Sequence, residues 1–343
     1  MNITAEEKIM YKVMKAIYDS GIPISFKGSM VLKACLLEAG YDDDTRHTVD
    51  IDANWNSDTP PTSEQMVESL QKAIDKEDGP AKEGLRRTLK SLEMSRENGL
   101  PACPDTGWPL FFIKLGNEAV LEGGVLALQE LGRQAIREAT LKGTLRKTMK
   151  HPITGYDPGD NVSEHTPYFT IQYVEGKDLE ITYAAKGGGS EVFGGTRHQM
   201  LAFADGLDGI RQFVIDAYIA SARAGAVCPP GILGIGIGGT ANMAADLAKE
   251  AACLRKIGSR HPEPVFAQLE EELETAINAL GIGHMGAGGR TSVLAVHVEY
   301  SYTHIAGVAV ATSTNCCVAR RGTVKLTEDS LEILPNANWF GTR

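Results

Sequence analysis

Helix-period and strand-period stretches do not take turns along this chain, and their order limits the fold more than any other feature. Helical spacing marks residues 4–20, 63–76, 82–98, 125–141, 207–223, 241–257 and 266–280. Extended runs fall at 22–26, 48–55, 168–174, 179–185, 231–238 and 307–312, and a further helix at 30–39. A doubly wound parallel sheet needs regular strand–helix alternation, so this irregular order points to an α+β fold. Asn56 to Thr62 reads as a loop, and no repeat of 20–50 residues occurs.

The length of 343 residues suits one large or two unequal domains. A formal net charge of -10 speaks against a nucleic-acid or membrane-surface binder. It leaves open an anionic substrate, for which Arg and Lys need only be concentrated locally. The N-terminal MNITAEEKIMYK lacks a basic region leading into an apolar one, and no apolar run approaches the roughly 18 residues of a membrane span. A cytoplasmic location is the expectation. Six cysteines without a secretory signal read as free thiols or metal ligands rather than a disulfide framework.

Three of those cysteines lie in turn-like surroundings: Pro101-Ala102-Cys103-Pro104-Asp105-Thr106-Gly107, Val227-Cys228-Pro229-Pro230-Gly231 and Thr314-Asn315-Cys316-Cys317. Flanking Pro and Gly expose a sulfur and free backbone N–H groups to point at it, which suits a metal cluster. Cys35 and Cys253 sit in helical patterns and read as small buried hydrophobes. The three candidates are dispersed and lack CxxC spacing, so spacing alone leaves cluster ligands and plain thiols both open.

Eight segments, in order, carry a resemblance over about residues 77–326. They are CPDTG (103–107), IREATLKGTLRKTMKHPITG (136–155), GDN (159–161), KGGGSE (186–191), CPPGILGIGIGGT (228–240), GAGGRTS (286–292), YTHIAGVAVA (302–311) and NCCVAR (315–320). The chain resembles the α-subunit of two-component class I (iron–sulfur) fumarases and tartrate dehydratases. The resemblance implies a helix-rich α+β domain with small mixed or antiparallel sheets. It implies a [4Fe–4S] cluster on Cys103, Cys228 and Cys316, with Cys317 the runner-up to Cys316, and a fourth iron free to act as a Lewis acid on substrate. Asp105 and His304 match an acid–base pair; His304 lies 12 positions before Cys316. Arg146 matches a substrate-binding arginine, whose planar guanidinium suits a carboxylate. Thr106, Gly188 and Gly189 complete the implied substrate-binding set, the glycines allowing close backbone approach. The implied reaction is reversible hydration or dehydration of a small 2-hydroxy (di)carboxylate: fumarate/malate, tartrate or a substituted analogue.

Gly234, Gly236 and Gly239 also spell GxGxxG, a dinucleotide fingerprint when it follows a strand. Here the glycines lie within the expected strand and the family pattern covers the segment, so NAD is not expected. Pro104, Met285 and Val192 stand where the family commonly has polar residues, Gln at the first two. Apolar walls favour a substrate bearing alkyl or aryl groups over fumarate itself.

Residues 1–74 fall outside the resemblance, and 75–343 form the expected catalytic domain. FKGSMVLKACLLEAGY followed by TVDIDANW resembles the opening of an AbiEii-like nucleotidyltransferase fold. There Gly28-Ser29 would meet phosphate and Asp50 and Asp52, two apart on one strand face, a divalent metal. No third carboxylate strand follows, which suggests a truncated, repurposed module, with a disguised N-terminal segment of the fumarase type as the alternative. The family α-part works with a separate β-part, so a β-subunit and a homodimer of α-parts are the expected partners. The competing readings are a non-catalytic iron–sulfur protein and a nucleotidyltransferase-like protein using Asp50 and Asp52.

Overall fold

A computed structural model of the chain describes residues 61–98, 102–223, 227–328 and 330–340. The elements expected between residues 4 and 55, with Gly28, Ser29, Cys35, Asp50 and Asp52, lie outside the described residues. Among those residues the chain has seven α-helices and two mixed sheets, an α+β fold. It divides into two compact units. One gathers Met94–Ala185 and Arg320–Pro335; the other gathers Ser63–Glu93, Lys186–Ala319 and the residues from Asn336 onward. Helix α1 (Pro61–Lys76) runs through position 74, where a boundary was expected.

The first unit is built on a five-stranded sheet. Its strands are β1 (Trp108–Gly116), β2 (Tyr168–Val174), β3 (Leu179–Lys186), β8 (Arg321–Leu326) and β9 (Leu331–Leu334), in the order β2-β1-β3-β8-β9. β1 and β2 are parallel, while β8 pairs antiparallel with β3 and β9. Periodicity left β1 unassigned, and its burial explains why: residues Pro109 to Ile113 are all covered, so inward and outward positions are both apolar. Helix α3 (Gly124–Leu141) lays Leu128, Gly132, Ala135, Ile136 and Ala139 on this sheet. Gly132 is there because a methyl group would come within 2.8 Å of the Phe169 ring, which stacks on Phe111 at 5.1 Å.

The second unit holds the sheet β4-β7-β5-β6, from β4 (Thr196–Ala202), β5 (Gly231–Ile237), β6 (Val293–Tyr300) and β7 (Gly307–Asn315). β5 is parallel to β6 and antiparallel to β7, which is antiparallel to β4. Around it lie α1, α2 (Gly79–Asn98, entering the unit through Glu93), the short α4 (Gly188–Val192), α5 (Gly206–Ala222), α6 (Ala241–Leu254) and α7 (Pro264–Ala279). β5 reads Gly-Ile-Leu-Gly-Ile-Gly-Ile and is buried throughout. Its glycines face α6: a methyl group on Gly234 would overlap the Ala248 carbonyl, and one on Gly236 the Ala244 carbonyl. Ala244, Ala248, Ala251 and Ala252 are fully buried on the matching helix face. The GxGxxG spacing thus serves helix–strand packing.

Helix α6 stops at Leu254, three residues short of the sequence expectation. Arg255 turns to extended backbone, and its guanidinium bonds Glu299 at 2.8 Å. β7 runs on to Asn315 because β4 and β5 bond it on both sides. β4, β6, β8 and β9 had no sequence assignment. No helix among the described residues is long and apolar enough to cross a membrane.

Gly234→Ala tests the packing. Overpacking of this kind costs about 1–3 kcal/mol, so the urea midpoint of the variant is expected to fall with an unchanged slope. A midpoint equal to wild type would show that α6 does not rest on β5 at backbone contact.

Candidate active site

Within the second unit, strand register brings two distant cysteines together. Ile232 faces Asn315 across the antiparallel β5–β7 pair. Cys228 precedes β5 and Cys316 follows β7, so both leave the same end of the sheet. The Cys317 N–H donates to the Cys228 carbonyl at 3.2 Å. Cys228 has a left-handed backbone, φ 51°, uncommon without glycine and a mark of strained functional turns. The turn is braced by Met285, also left-handed, whose N–H donates to the Pro229 carbonyl at 2.9 Å. That brace is anchored in turn. The buried Glu77 carboxylate accepts the Arg290 and Thr291 N–H groups, and His284 Nε2 lies 3.0 Å from Thr88 Oγ1.

The KGGGSE segment borders the same sheet end through Lys186, which bonds the Thr314 carbonyl, and the Thr314 N–H donates to the carbonyl of Gly195, just beyond the segment, at 2.8 Å. Gly188 and Gly189 are half-buried. Lys186 is fully buried, its Nζ donating to the Thr314 carbonyl at 2.7 Å and the Ser190 carbonyl at 3.1 Å. Glu191 Oε1 lies 3.4 Å from it and 3.0 Å from Lys249 Nζ. Burial pushes the Lys186 ammonium down from its ordinary value, against the pull of Glu191. Burial raises the Glu191 carboxyl, but the Lys186 and Lys249 charges outweigh it and hold it below the usual range. Sequence reasoning picked the glycines of this motif and passed over its two charged residues. An ionisable residue on each side of a glycine run was the available signal.

His304 lies elsewhere in this unit. It is exposed, in the loop between β6 and β7, and its Nδ1 accepts the Ala306 N–H at 3.2 Å. Nε2 is thereby left to carry a proton outward. The loop is tied to the far end of β5, since the Gly239 N–H donates to the Tyr302 carbonyl. At about 3.3 Å per residue, the nine residues of β7 put roughly 27 Å between its two ends. His304 and Cys316 flank opposite ends. Tyr302 and Ile305 beside His304 are 89% and 86% exposed.

The first unit holds Cys103, Asp105, Thr106 and Arg146. Cys103 is half-buried, and Asp105 Oδ1 accepts the Gly107 N–H at 3.0 Å, forming a tight turn into β1. Thr106 is buried, and its hydroxyl donates to the Arg146 carbonyl at 2.6 Å. The fully buried Asn161 holds the rest of that loop. Its Nδ2 donates to the Arg146 carbonyl and to Thr140 Oγ1, and its Oδ1 accepts the Thr148 and Met149 N–H groups. Asn161 also takes a left-handed φ of 59°, a conformation asparagine tolerates. The Arg146 side chain is exposed and has no ion-pair partner among the described residues. Asn161 closes the GDN segment noticed in the sequence, but its role was visible only in the folded loop.

Neither unit by itself brings three His, Cys, Asp or Glu side chains together as a metal-ligand group among the described residues. The donors do suit an iron–sulfur cluster: Cys103, Cys228 and Cys316 form no disulfide among the described residues, and thiolate is the usual ligand of such clusters. Cys253 is fully buried in α6, as its helical pattern suggested.

This is an α+β protein with paired cysteine turns at one sheet end and a loop presenting an arginine. Residues 59–325 match the family model described as Fumarate hydratase (Fumerase). A Methanocaldococcus jannaschii protein with the provisional name L(+)-tartrate dehydratase subunit alpha is 37% identical over 270 residues, 78% of this chain and 93% of the relative. The L(+)-tartrate dehydratase subunits alpha of Escherichia coli strains UTI89 and K12 are 38% and 37% identical over 241 residues, 70% of this chain and 76% of theirs. The chain belongs to the fumarate hydratase family and is a hydro-lyase.

Two variants test the scaffold. Asn161→Asp keeps the acceptor and loses both donated bonds, so stability is expected to drop by about 1–3 kcal/mol, read by denaturant unfolding. An unchanged midpoint would remove Asn161 from its loop-holding role. Burial lowers the His284 imidazole below its ordinary value of 6.5. The unfolded chain then binds more protons than the folded one just below that pH, so the His284 contribution is complete above it and lost on acidification. Unfolding free energy between pH 7 and 5 should fall less steeply in His284→Gln than in wild type; parallel curves would refute this.

Proposed function

We propose that the chain is the cluster-bearing, α-type subunit of a hydro-lyase that reversibly hydrates or dehydrates a small 2-hydroxy (di)carboxylate. The β5–β7 register that joins the Cys228 and Cys316 turns is the observation that carries this reading. Cys103, Cys228 and Cys316 would hold a [4Fe–4S] cluster, which when bound supplies a Lewis-acidic iron for the carboxylate and hydroxyl of the substrate. The slight exposure of Cys316, 8% against 1% for Cys317, supports Cys316 as the ligand of that pair.

The chain's own residues have separable tasks. Arg146, with no competing carboxylate among the described residues, binds a substrate carboxylate through its planar guanidinium. Thr106 acts through Arg146 by fixing its carbonyl. Gly188 and Gly189 let the backbone approach substrate closely. His304 holds a proton at Nε2 and delivers it to the departing hydroxyl, with Asp105 as the acidic member of the pair. The length of β7 supports supply of His304 by a second copy of the chain, since the loop and the cysteine turns of one copy flank opposite strand ends. The exposed Tyr302 and Ile305 beside it suit burial in that homodimer. The relatives named as alpha subunits support a β-type partner carrying further substrate-binding residues. In this reading the N-terminal module is the part of residues 1–74 that precedes α1, and the cytoplasm is the proposed location.

The apolar, exposed Pro104, Val192 and Met285 favour a substituted substrate over fumarate. With the chain reconstituted anaerobically beside a β-type subunit, mesaconate, tartrate and bulkier 2-hydroxy acids are expected to outrun fumarate in kcat/KM. Highest efficiency on fumarate would overturn that specificity. Cys228→Ser is expected to lose the broad visible absorbance of the reconstituted protein; retention would exclude the thiol as ligand. His304→Asn and Cys316→Ser chains should each be inactive. Mixed equally, they should recover roughly a quarter of wild-type activity, the share of intact centres in a random two-fold dimer. No recovery would exclude the shared site, and full activity of His304→Asn alone would exclude the residue.

A further inference from the structure

We propose that Lys186 is a positioning residue, which locks the Gly187–Ser190 turn to the cysteine-bearing end of β7 and so sets substrate-binding backbone and cluster ligand in one register. The inference rests on the proposed roles of Gly188, Gly189 and Cys316. Lys186 has no exposed surface, and the two carbonyls its ammonium bonds belong to different segments: Ser190 ends the glycine turn, and Thr314 stands two residues before Cys316. An ammonium offers three donors, and the third points to Glu191. Glu191 is held from outside by Lys249 and by the Thr196 hydroxyl at 3.1 Å, so the buried charge is compensated and its direction fixed. The Ser190 hydroxyl is itself buried with no partner among the described residues. The shape of the turn therefore depends on the bond to the Ser190 carbonyl. Gly195 completes the joint: a methyl group there would overlap that same carbonyl.

Such a lock makes a specific signature. In the holoenzyme, Lys186→Met removes all three donors while keeping side-chain length, and Lys186→Gln keeps a neutral donor. Loss of a hydrogen bond that aligns substrate is worth about tenfold in binding. Lys186→Met is expected to raise KM about tenfold, with kcat changed far less, and to alter the electron paramagnetic resonance line of the dithionite-reduced cluster through the shifted Cys316. Lys186→Gln is expected to fall between it and wild type on both readouts. A folded, iron-loaded Lys186→Met with wild-type KM and spectrum would overturn the proposal, even if its apo form unfolded more easily. Should Lys186→Met fail to fold, Lys186→Gln decides: a raised KM supports the lock and a wild-type KM overturns it. If wild-type chain takes up no iron under the same conditions, the functional reading beneath the proposal has failed instead.

Discussion

Backbone contact between α6 and β5 is the constraint on which the second unit depends. Gly234 and Gly236 lack the side-chain atoms that would overlap the Ala248 and Ala244 carbonyls, and the buried alanines of α6 pack against the strand. A strand covered so closely has no freedom to slip, because a one-residue shift would turn isoleucines into the helix backbone. Its register with β7 is fixed by the same contact. That register delivers Cys228 and Cys316 to one sheet end, although 88 positions (316 − 228) separate them in sequence.

Polar satisfaction does the corresponding work around the arginine. The 145–149 loop leaves α3 with backbone groups that no regular element can bond. Asn161 meets three of them and the Thr106 hydroxyl adds a second bond to the Arg146 carbonyl. The loop is therefore held at its backbone while the Arg146 side chain is exposed. Strain is distributed in the same pattern. Five non-glycine residues among those described have positive φ, and four of them, Asn161, Cys228, Met285 and Ala319, lie in or against the candidate site segments. Ala319 donates its N–H to the Cys316 carbonyl.

The two ends of β7 have different chemistry. One carries buried thiols, a compensated buried lysine and glycine turns; the other carries an exposed histidine between exposed apolar side chains. A strand is a rigid spacer, so the twelve positions from His304 to Cys316 mean separation here, whereas in a loop they could mean contact.

Much of the second unit's helical framework and the cysteine turns were legible in the sequence, because amphipathic spacing and Pro/Gly-flanked thiols are local properties. The family pattern singled out Cys103, Asp105, Arg146, Cys228, His304 and Cys316 by their neighbours alone. β1 was not legible, because a strand buried on both faces has no alternation. The edge strand β4, polar and exposed, gave no hydrophobic signal either. The burial of Lys186 and the fourfold bonding of Asn161 depend on segments far apart in the chain, as does the use of GxGxxG for helix packing. Sequence determined which residue types stand at each turn; only the tertiary structure decided which turns share a sheet end, since strand register is set by packing between distant segments.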